Sequence, residues 1–491
     1  MPVNDLRQWI ERIDEMGQLS RVSGADPLHE IGGLVDMYQQ DMEKPALLFD
    51  RIKGLDPSFK LLANVFTSLP RISLSLDLPV DSSRREIVRE WRDRLKTFEP
   101  QPAQLVEDGP VLENRQTGGE IDVTRFPAPV WHAQDGGAYL GTGNIVIMKD
   151  PDTGWINAGT YRVQVHDAKT LGIMISPGKH GRMIREKYWA RGQACPVAVS
   201  FGHDPLLLLL GGLEVDYGVN EYDVAGGIRG EPIKLVTAPL TGLPVPATSE
   251  LVIEGEIPPD ETHAEGPFGE WAGYYAGGER DMPIIRVQSV MHRNNPIILA
   301  CLPGKPPNDN TYFRSPLRSA LIWNELERAG VPGITGVWSH EAGGGRLFNI
   351  VSIKQAYPGH SKQVGMATAS CHAGAYANRF VVVVDDDIDP TDTNEVLWAM
   401  CTRTDVIDDI DVMKRCWSTS LDPMAYAGQG EGEGYYNNRM IIDACRPYDR
   451  LSTFPEVVRT SDEDAARLRS RWPDLFGADG KAKDGAATAA R

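Results

Sequence analysis

The stretch "HAEGPFGEW", His263 to Trp271, sets two carboxylates, Glu265 and Glu270, on either side of Gly266, Pro267, Phe268 and Gly269. Gly-Pro favours a turn, so two glutamates five residues apart can reach one space. There their protonation would diverge. A carboxylate beside an arginine stays ionised, whereas one pressed against Phe268 or Trp271 has its pKa raised and becomes a proton donor. Spacing alone equally allows a surface turn with two solvated glutamates. An arginine is available upstream in "GWINAGTYRVQ", which holds Trp155, Asn157, Thr160, Tyr161 and Arg162 in one strand-like run. Strict alternation would put Asn157 and Tyr161 on one face and Arg162 on the other, unless Gly159 marks a bulge.

Other candidates are more dispersed. "SPGKHGRM" places Lys179 and His180 in a Pro-Gly turn suited to a phosphate or a metal, and "NEYDVAGG" offers Glu221 and Asp223. Asn157, His180 and Glu221 would make an N/O set for a hard divalent ion such as Mn²⁺ or Mg²⁺, although no short metal motif joins them. "VDDDIDPTD" lacks the glycine and terminal glutamate of an EF-hand loop and reads as a strand end and helix cap. "AGGGRLF" and "AGQGEGEG" match no phosphate-binding pattern and read as loops. GxSxG, HExxH and kinase-type sets are missing.

The elements that must position these residues fall into three textures. Leu6, Ile10, Ile13 and Met16 recur at helical spacing with Asn4 or Asp5 as cap and Gly17 as stop. Strand-like "ALLFDRI" and "KLLANVF" follow, then a charged helix, "SSRREIVREWRDRL", with an Ile87, Trp91, Leu95 stripe. Short β-rich runs come next, among them "GNIVIMKD", "LGIMIS", "PVAVSFG", "IKLVTA", "SELVIEGEI" and "PIIRVQSVMH". They are punctuated by Gly, Pro, Asn and Asp, as in a β-barrel or sandwich. Helical "SALIWNELERAG", a buried strand in "RFVVVVDDDIDP" and a capped helix in "TDTNEVLWAMCTR" restore α/β texture. The expectation is an α+β multidomain chain: an N-terminal α/β domain over residues 1–112, a central split β-barrel over 113–318, a C-terminal α/β domain over 319–456, and a helix with a disordered tail over 457–491.

The totals bound the function. Asp plus Glu number 68 against 50 Lys plus Arg, a formal net charge of -18, which argues against a nucleic-acid partner. The six cysteines are scattered without a CxxC pair, as suits a reducing cytoplasm. The N-terminus carries charges throughout, and "PLLLLLGGL" is far short of the roughly 20 residues of a membrane helix, so neither export nor a membrane partner is expected.

Taken together, "NAGTYRVQ", "GKH", "NEYDVAGG", "VPATSELVIEGEI", "EGPFGEWAGYY" and "VVDDDIDPTDTNEVLWAMCTR" resemble, in order, the UbiD family of reversible decarboxylases. The resemblance implies prenylated FMN, supplied by a partner flavin prenyltransferase and held in a split β-barrel with a divalent metal (Mn²⁺ or Mg²⁺) and K⁺. By motif position it implies Asn157, His180 and Glu221 as metal ligands, with the Trp155 carbonyl at the K⁺ site. It implies cofactor contacts at Thr160, Tyr161, Arg162, Lys179 and His180, at Met174, Ile175 and Ser176, and at Arg379, near a residue that touches the phosphate in some members. It implies Arg162, Glu265 and Glu270 as the catalytic set: Arg162, paired with ionised Glu265, holds a substrate carboxylate, and Glu270 delivers a proton after CO₂ leaves a covalent cofactor adduct. The implied substrates are aromatic, heteroaromatic or α,β-unsaturated acids, and the implied assembly is a homodimer or a trimer of dimers built on the C-terminal domain. A flavin reductase-like split barrel and a non-catalytic flavin-binding subunit of a carboxylase assembly are the rival readings.

Overall fold

The computed structural model describes residues 3–42, 44–213, 215–275, 277–427 and 434–476. The expected disordered tail, "ADGKAKDGAATAAR", and most of "AGQGEGEG" lie outside them. The chain forms two compact units, residues 1–445 and 446–491.

Within the first unit, the N-terminal helix Leu6–Glu15 buries Leu6, Trp9, Ile10 and Ile13, and Asp5 caps it by accepting from Gln8 N. A four-stranded sheet follows in the order Leu19–Ser23, Ala46–Asp50, Lys60–Ala63, Ile297–Leu299. Its last strand arrives from far downstream and pairs parallel to Lys60–Ala63. The charged helix Arg84–Thr97 begins with a capping box between Ser83 and Glu86 and buries Ile87, Val88 and Trp91.

The middle of the unit is a ten-stranded sheet, antiparallel at every pairing. Its central strands read as unbroken apolar runs because both faces are covered. Val146, Met148, Val199 and Ile253 belong to one buried cluster, while the intervening Ile145, Ile147, Ala198 and Val252 belong to another with the leucines of helix Pro205–Gly212. The edge strands are Ala138–Gly141 and Ile156–Gly159, so the sheet is curled and open rather than a closed barrel. "IKLVTA" stands apart: Lys234–Thr237 forms a three-stranded side sheet with Gln104–Leu105 and Pro244–Pro246.

The third texture is a mixed six-stranded sheet, with Phe380–Asp385 parallel to both Phe348–Ile353 and Tyr435–Ala444. Helix Asp309–Arg328 starts ten residues before "SALIWNELERAG" and contains Pro316. It is continuous through residue 318, where the central domain is expected to end. Its first residue, Asp309, accepts from Val65 N (3.0 Å) and Phe66 N (2.5 Å) and ties the helix to the first sheet. The expected boundary at 456 likewise falls inside the second unit, which begins at residue 446. That unit carries helix Asp462–Arg471, with three acids in its first turn, Arg469 and Arg471 in its last, and no buried residue.

Candidate active site

The opening of the curled sheet is bridged by the chain itself. Edge strand Ile156–Gly159 ends one side, and the chain re-enters beside the opposite edge as Val163–Val165, leaving only Thr160, Tyr161 and Arg162 to cross. Strict alternation therefore fails, and Asn157, Tyr161 and Arg162 line one cavity. The crossing is fixed by its backbone: Thr160 N donates to Gly211 O (3.0 Å) and Met174 N to Arg162 O (3.4 Å). Asn144 Nδ2 donates to Tyr161 O at 3.0 Å.

The acidic bend comes from the other side. Glu265 ends strand Thr262–Glu265, and the chain then turns through Gly266, whose φ of 85° is open to glycine but costly for other residues. The 132–137 loop clamps this bend. Gly136 N donates to Pro267 O (2.8 Å), and a Cβ at Gly136 would lie 1.9 Å from Gly266 O. Asp135 accepts from Gly269 N at 2.9 Å. Both glutamates thereby reach Arg162 and are buried, Glu265 at 2% exposure and Glu270 at 7%. The surface-turn alternative is set aside.

The two carboxylates are unequal. Glu265 takes Arg162 Nε at 2.8 Å and NH2 at 2.7 Å, plus the Tyr139 hydroxyl at 2.9 Å. Glu270 takes Arg162 NH1 at 2.5 Å and the backbone N–H of Trp271. Burial is the largest influence on Glu270 and raises its pKa above an ordinary carboxyl despite Arg162. Burial opposes the Arg162 charge, but Glu270 and Glu265 outweigh it and hold the guanidinium above its ordinary value. Phe268 lies beneath the guanidinium, with its ring centre 5.0 Å away. Glu270 and Arg162 line the cavity; Glu265 stands behind them.

The cavity, of about 260 Å³, gathers most of the other expected residues: Asn157, Thr160, Tyr161, Met174, Ser176, Lys179, His180 and Glu221. Thr160 Oγ1 is buried without a hydrogen-bond partner, as a hydroxyl awaiting a ligand would be. Asn157 Nδ2 donates to Glu221 Oε1 (2.8 Å) and Ala158 N to Glu221 Oε2 (3.0 Å). Burial lifts Glu221 to a pKa of about 7, a carboxylate that a bound cation would return to its charged form. His180 opens helix His180–Trp189 on the same wall. With an amide, an imidazole and a carboxylate, the trio fits a hard divalent ion. Among the described residues no group of three or more His, Cys, Asp or Glu could hold a metal.

Three expected contacts lie elsewhere. Ile175 is buried in the sheet's core, 5% exposed. Trp155 meets His180 edge-on and Tyr217 at a tilt, with its carbonyl accepting from Asp150 N at 2.7 Å. Arg379 is held by Asp422 through two contacts at 2.5 and 2.7 Å and does not line the cavity. The added positive charge on the wall comes instead from Arg314 and Arg346. Facing the sheet across the cavity is an apolar wall of Trp271, Tyr376, Trp417 and Leu421. Lys179 Nζ and the Arg346 guanidinium lie 5.3 and 4.8 Å from the Tyr376 ring centre.

Three domain models of one family cover most of the chain. They are the 3-octaprenyl-4-hydroxybenzoate carboxy-lyase N-terminal domain over residues 10–91, its Rift-related domain over 104–306, and its C-terminal domain over 311–444. The chain belongs to the UbiD family. By that membership it is a carboxy-lyase. It is 34% identical over 485 residues to a phenolic acid decarboxylase of Streptomyces sp. (strain D7), covering 96% of this chain and 98% of that one. It is 32% identical over 499 residues to the pyrrole-2-carboxylic acid decarboxylase of Pseudomonas aeruginosa, with the same coverage. The fold matches the UbiD-class enzyme HmfF from Pelotomaculum thermopropionicum in complex with FMN, with a TM-score of 0.82, 29% identity, and 94% and 98% of the two chains covered. An evolved dimeric form of HmfF in complex with prFMN matches with a TM-score of 0.80 at 28% identity, over 94% and 98% of the two chains. Among the described residues no helix is long and apolar enough to cross a membrane.

Proposed function

We propose that this UbiD-family carboxy-lyase is a prenylated-FMN-dependent, non-oxidative and reversible decarboxylase of an aromatic, heteroaromatic or α,β-unsaturated carboxylic acid. The observation that carries the reading is one arginine on the cavity wall shared by two buried carboxylates with unequal numbers of donors. When bound, prenylated FMN supplies an electrophilic ring that takes up the electron pair left as CO₂ departs.

Arg162 binds the substrate. Its Nε and NH2 are committed to Glu265, so NH1 is the nitrogen that a carboxylate in the cavity can take. Glu270 takes NH1, and a substrate carboxylate competes with it there. Once displaced, Glu270 loses the cationic influence that opposes burial, and its protonated form is favoured. Glu270 then delivers that proton to the carbon that has lost CO₂. Tyr139 and Glu265 keep the guanidinium from following the substrate, and the buried Trp271 and Tyr376 on the wall suit a flat ring.

Thr160, Ser176 and Lys179 would hold the cofactor, Asn157, His180 and Glu221 its Mn²⁺ or Mg²⁺, and the Trp155 carbonyl K⁺. The first, middle and third textures act as N-terminal, cofactor-binding and oligomerisation domains of a homodimer or a trimer of dimers. Six unpaired cysteines suit a reducing cytoplasm, where a flavin prenyltransferase supplies the cofactor.

The test is CO₂ release across a panel of benzoates, heteroaromatic acids and acrylic acids, using protein co-expressed with a flavin prenyltransferase. At least one acid is expected to lose CO₂. Loaded protein inert to the whole panel overturns the reading, and nicotinamide-dependent flavin turnover in its place would favour a reductase.

A further inference from the structure

The crossing residue Tyr161 sits between two glycines. A Cβ on Gly159 would lie 2.5 Å from the Tyr161 hydroxyl, and one on Gly181 would lie 2.8 Å from the ring. The ring therefore occupies a slot that only these two glycines leave open, one on the strand bearing Asn157 and one beside His180. Its hydroxyl touches both elements: it accepts from Gly181 N at 3.1 Å and donates to Asn157 Oδ1 at 3.5 Å. Asn157 Nδ2 passes the chain on to Glu221 Oε1 at 2.8 Å, and Ala158 N holds the other Glu221 oxygen at 3.0 Å.

We propose that Tyr161 is a positioning residue for the metal centre: its hydroxyl locks the Asn157 amide with Oδ1 toward the His180 helix and ties that helix to the strand. The inference rests on the reading of Asn157, His180 and Glu221 as ligands. The hydrogen bonds run in one sense, from Gly181 N–H through the Tyr161 hydroxyl to Asn157, and from the Asn157 amide N–H to Glu221. An amide without such partners on both ends can present either its oxygen or its nitrogen, and only the oxygen is a ligand for a hard cation. Groups that orient a ligand in this way change metal affinity without touching the metal. A hydroxyl that served only to contact the flavin would leave metal affinity unchanged.

The test is titration of metal-stripped protein with Mn²⁺ in the presence of FMN, with free Mn²⁺ read by electron paramagnetic resonance. Wild-type protein is expected to bind Mn²⁺, and Glu221→Gln to lose the site. Tyr161→Phe keeps the ring and is expected to bind about ten-fold more weakly with an unchanged thermal unfolding midpoint. Gly159→Ala, which keeps the hydroxyl but pushes it from its slot, is expected to weaken binding in the same direction. Absence of Mn²⁺ binding by the wild type overturns the metal reading and this inference with it. Binding that is lost in Glu221→Gln but of wild-type strength in Tyr161→Phe overturns the inference alone.

Discussion

Two buried glutamate–arginine clusters adjoin the same curled sheet, and one of them lines the cavity described above while the other does not. Glu250, fully buried, accepts from Arg7 Nε (2.7 Å) and NH2 (2.8 Å), Arg293 NH1 (3.3 Å) and Ile297 N (3.1 Å). Its partners come from the N-terminal helix and from the two sides of the turn after the long strand, and they fill both of its oxygens. Glu270 has one arginine nitrogen and the Trp271 backbone N–H as donors, and it lines the cavity. A buried ion pair is thus not in itself a site. What separates the two clusters is whether a carboxylate retains unused hydrogen-bonding capacity where a ligand can enter.

Four outcomes break or sharpen this contrast. Glu270→Gln is expected to lower turnover by roughly 10² to 10⁴ while leaving FMN binding and the unfolding midpoint in place; full activity would remove Glu270 from the chemistry. Glu250→Ala should do the reverse. It leaves Arg293 and Ile297 N without their buried acceptor and is expected to destabilise the fold by about 3 kcal/mol in chemical denaturation. That is the low end for a buried pair because Arg7 keeps a third of its surface in water. Turnover per folded molecule should be unchanged. Tyr139→Phe removes one of three donors to Glu265 and is expected to cost about 1.5 kcal/mol of stability, with a modest rise in KM as Arg162 loosens. The smallest effect is on the pH profile. Burial raises the Glu270 pKa, so its protonated, donating form is full at low pH and is lost as pH rises through a titration displaced upward from an ordinary glutamate. The alkaline limb of turnover should shift accordingly and vanish in Glu270→Gln; an unshifted limb that survives the substitution belongs to another group.

How much of this was legible in the sequence depended on how local the signal was. Helix Leu6–Glu15 and strand Phe380–Asp385 follow from their own patterns, because each buries one stripe or one run. The start of helix Asp309–Arg328 did not, because Pro316 reads as a breaker, and Asn310, Phe313 and Arg314 were lost with it. Those three lie at helical spacing on one face, a signal that the earlier start would have exposed. Arg346 was passed over inside "AGGGRLF", which matches no phosphate motif yet delivers its arginine to the cavity. The apolar wall had no local signature at all: Trp271, Tyr376 and Trp417 are brought together only by the way the third sheet meets the curled one. Arg379 misled for the opposite reason, since a basic residue near a motif says nothing of the carboxylate, Asp422, that already holds it.

The strand Ile297–Leu299 has a further meaning for how the molecule is made. The first sheet stays one strand short until nearly 300 residues have left the ribosome, and the pairing of Lys60–Ala63 with that late arrival is among the most distant in the chain. A truncated N-terminal segment is therefore expected to expose the edge of Lys60–Ala63 as a site of aggregation rather than to fold alone. During synthesis, the enzyme's first region waits on the completion of its middle one.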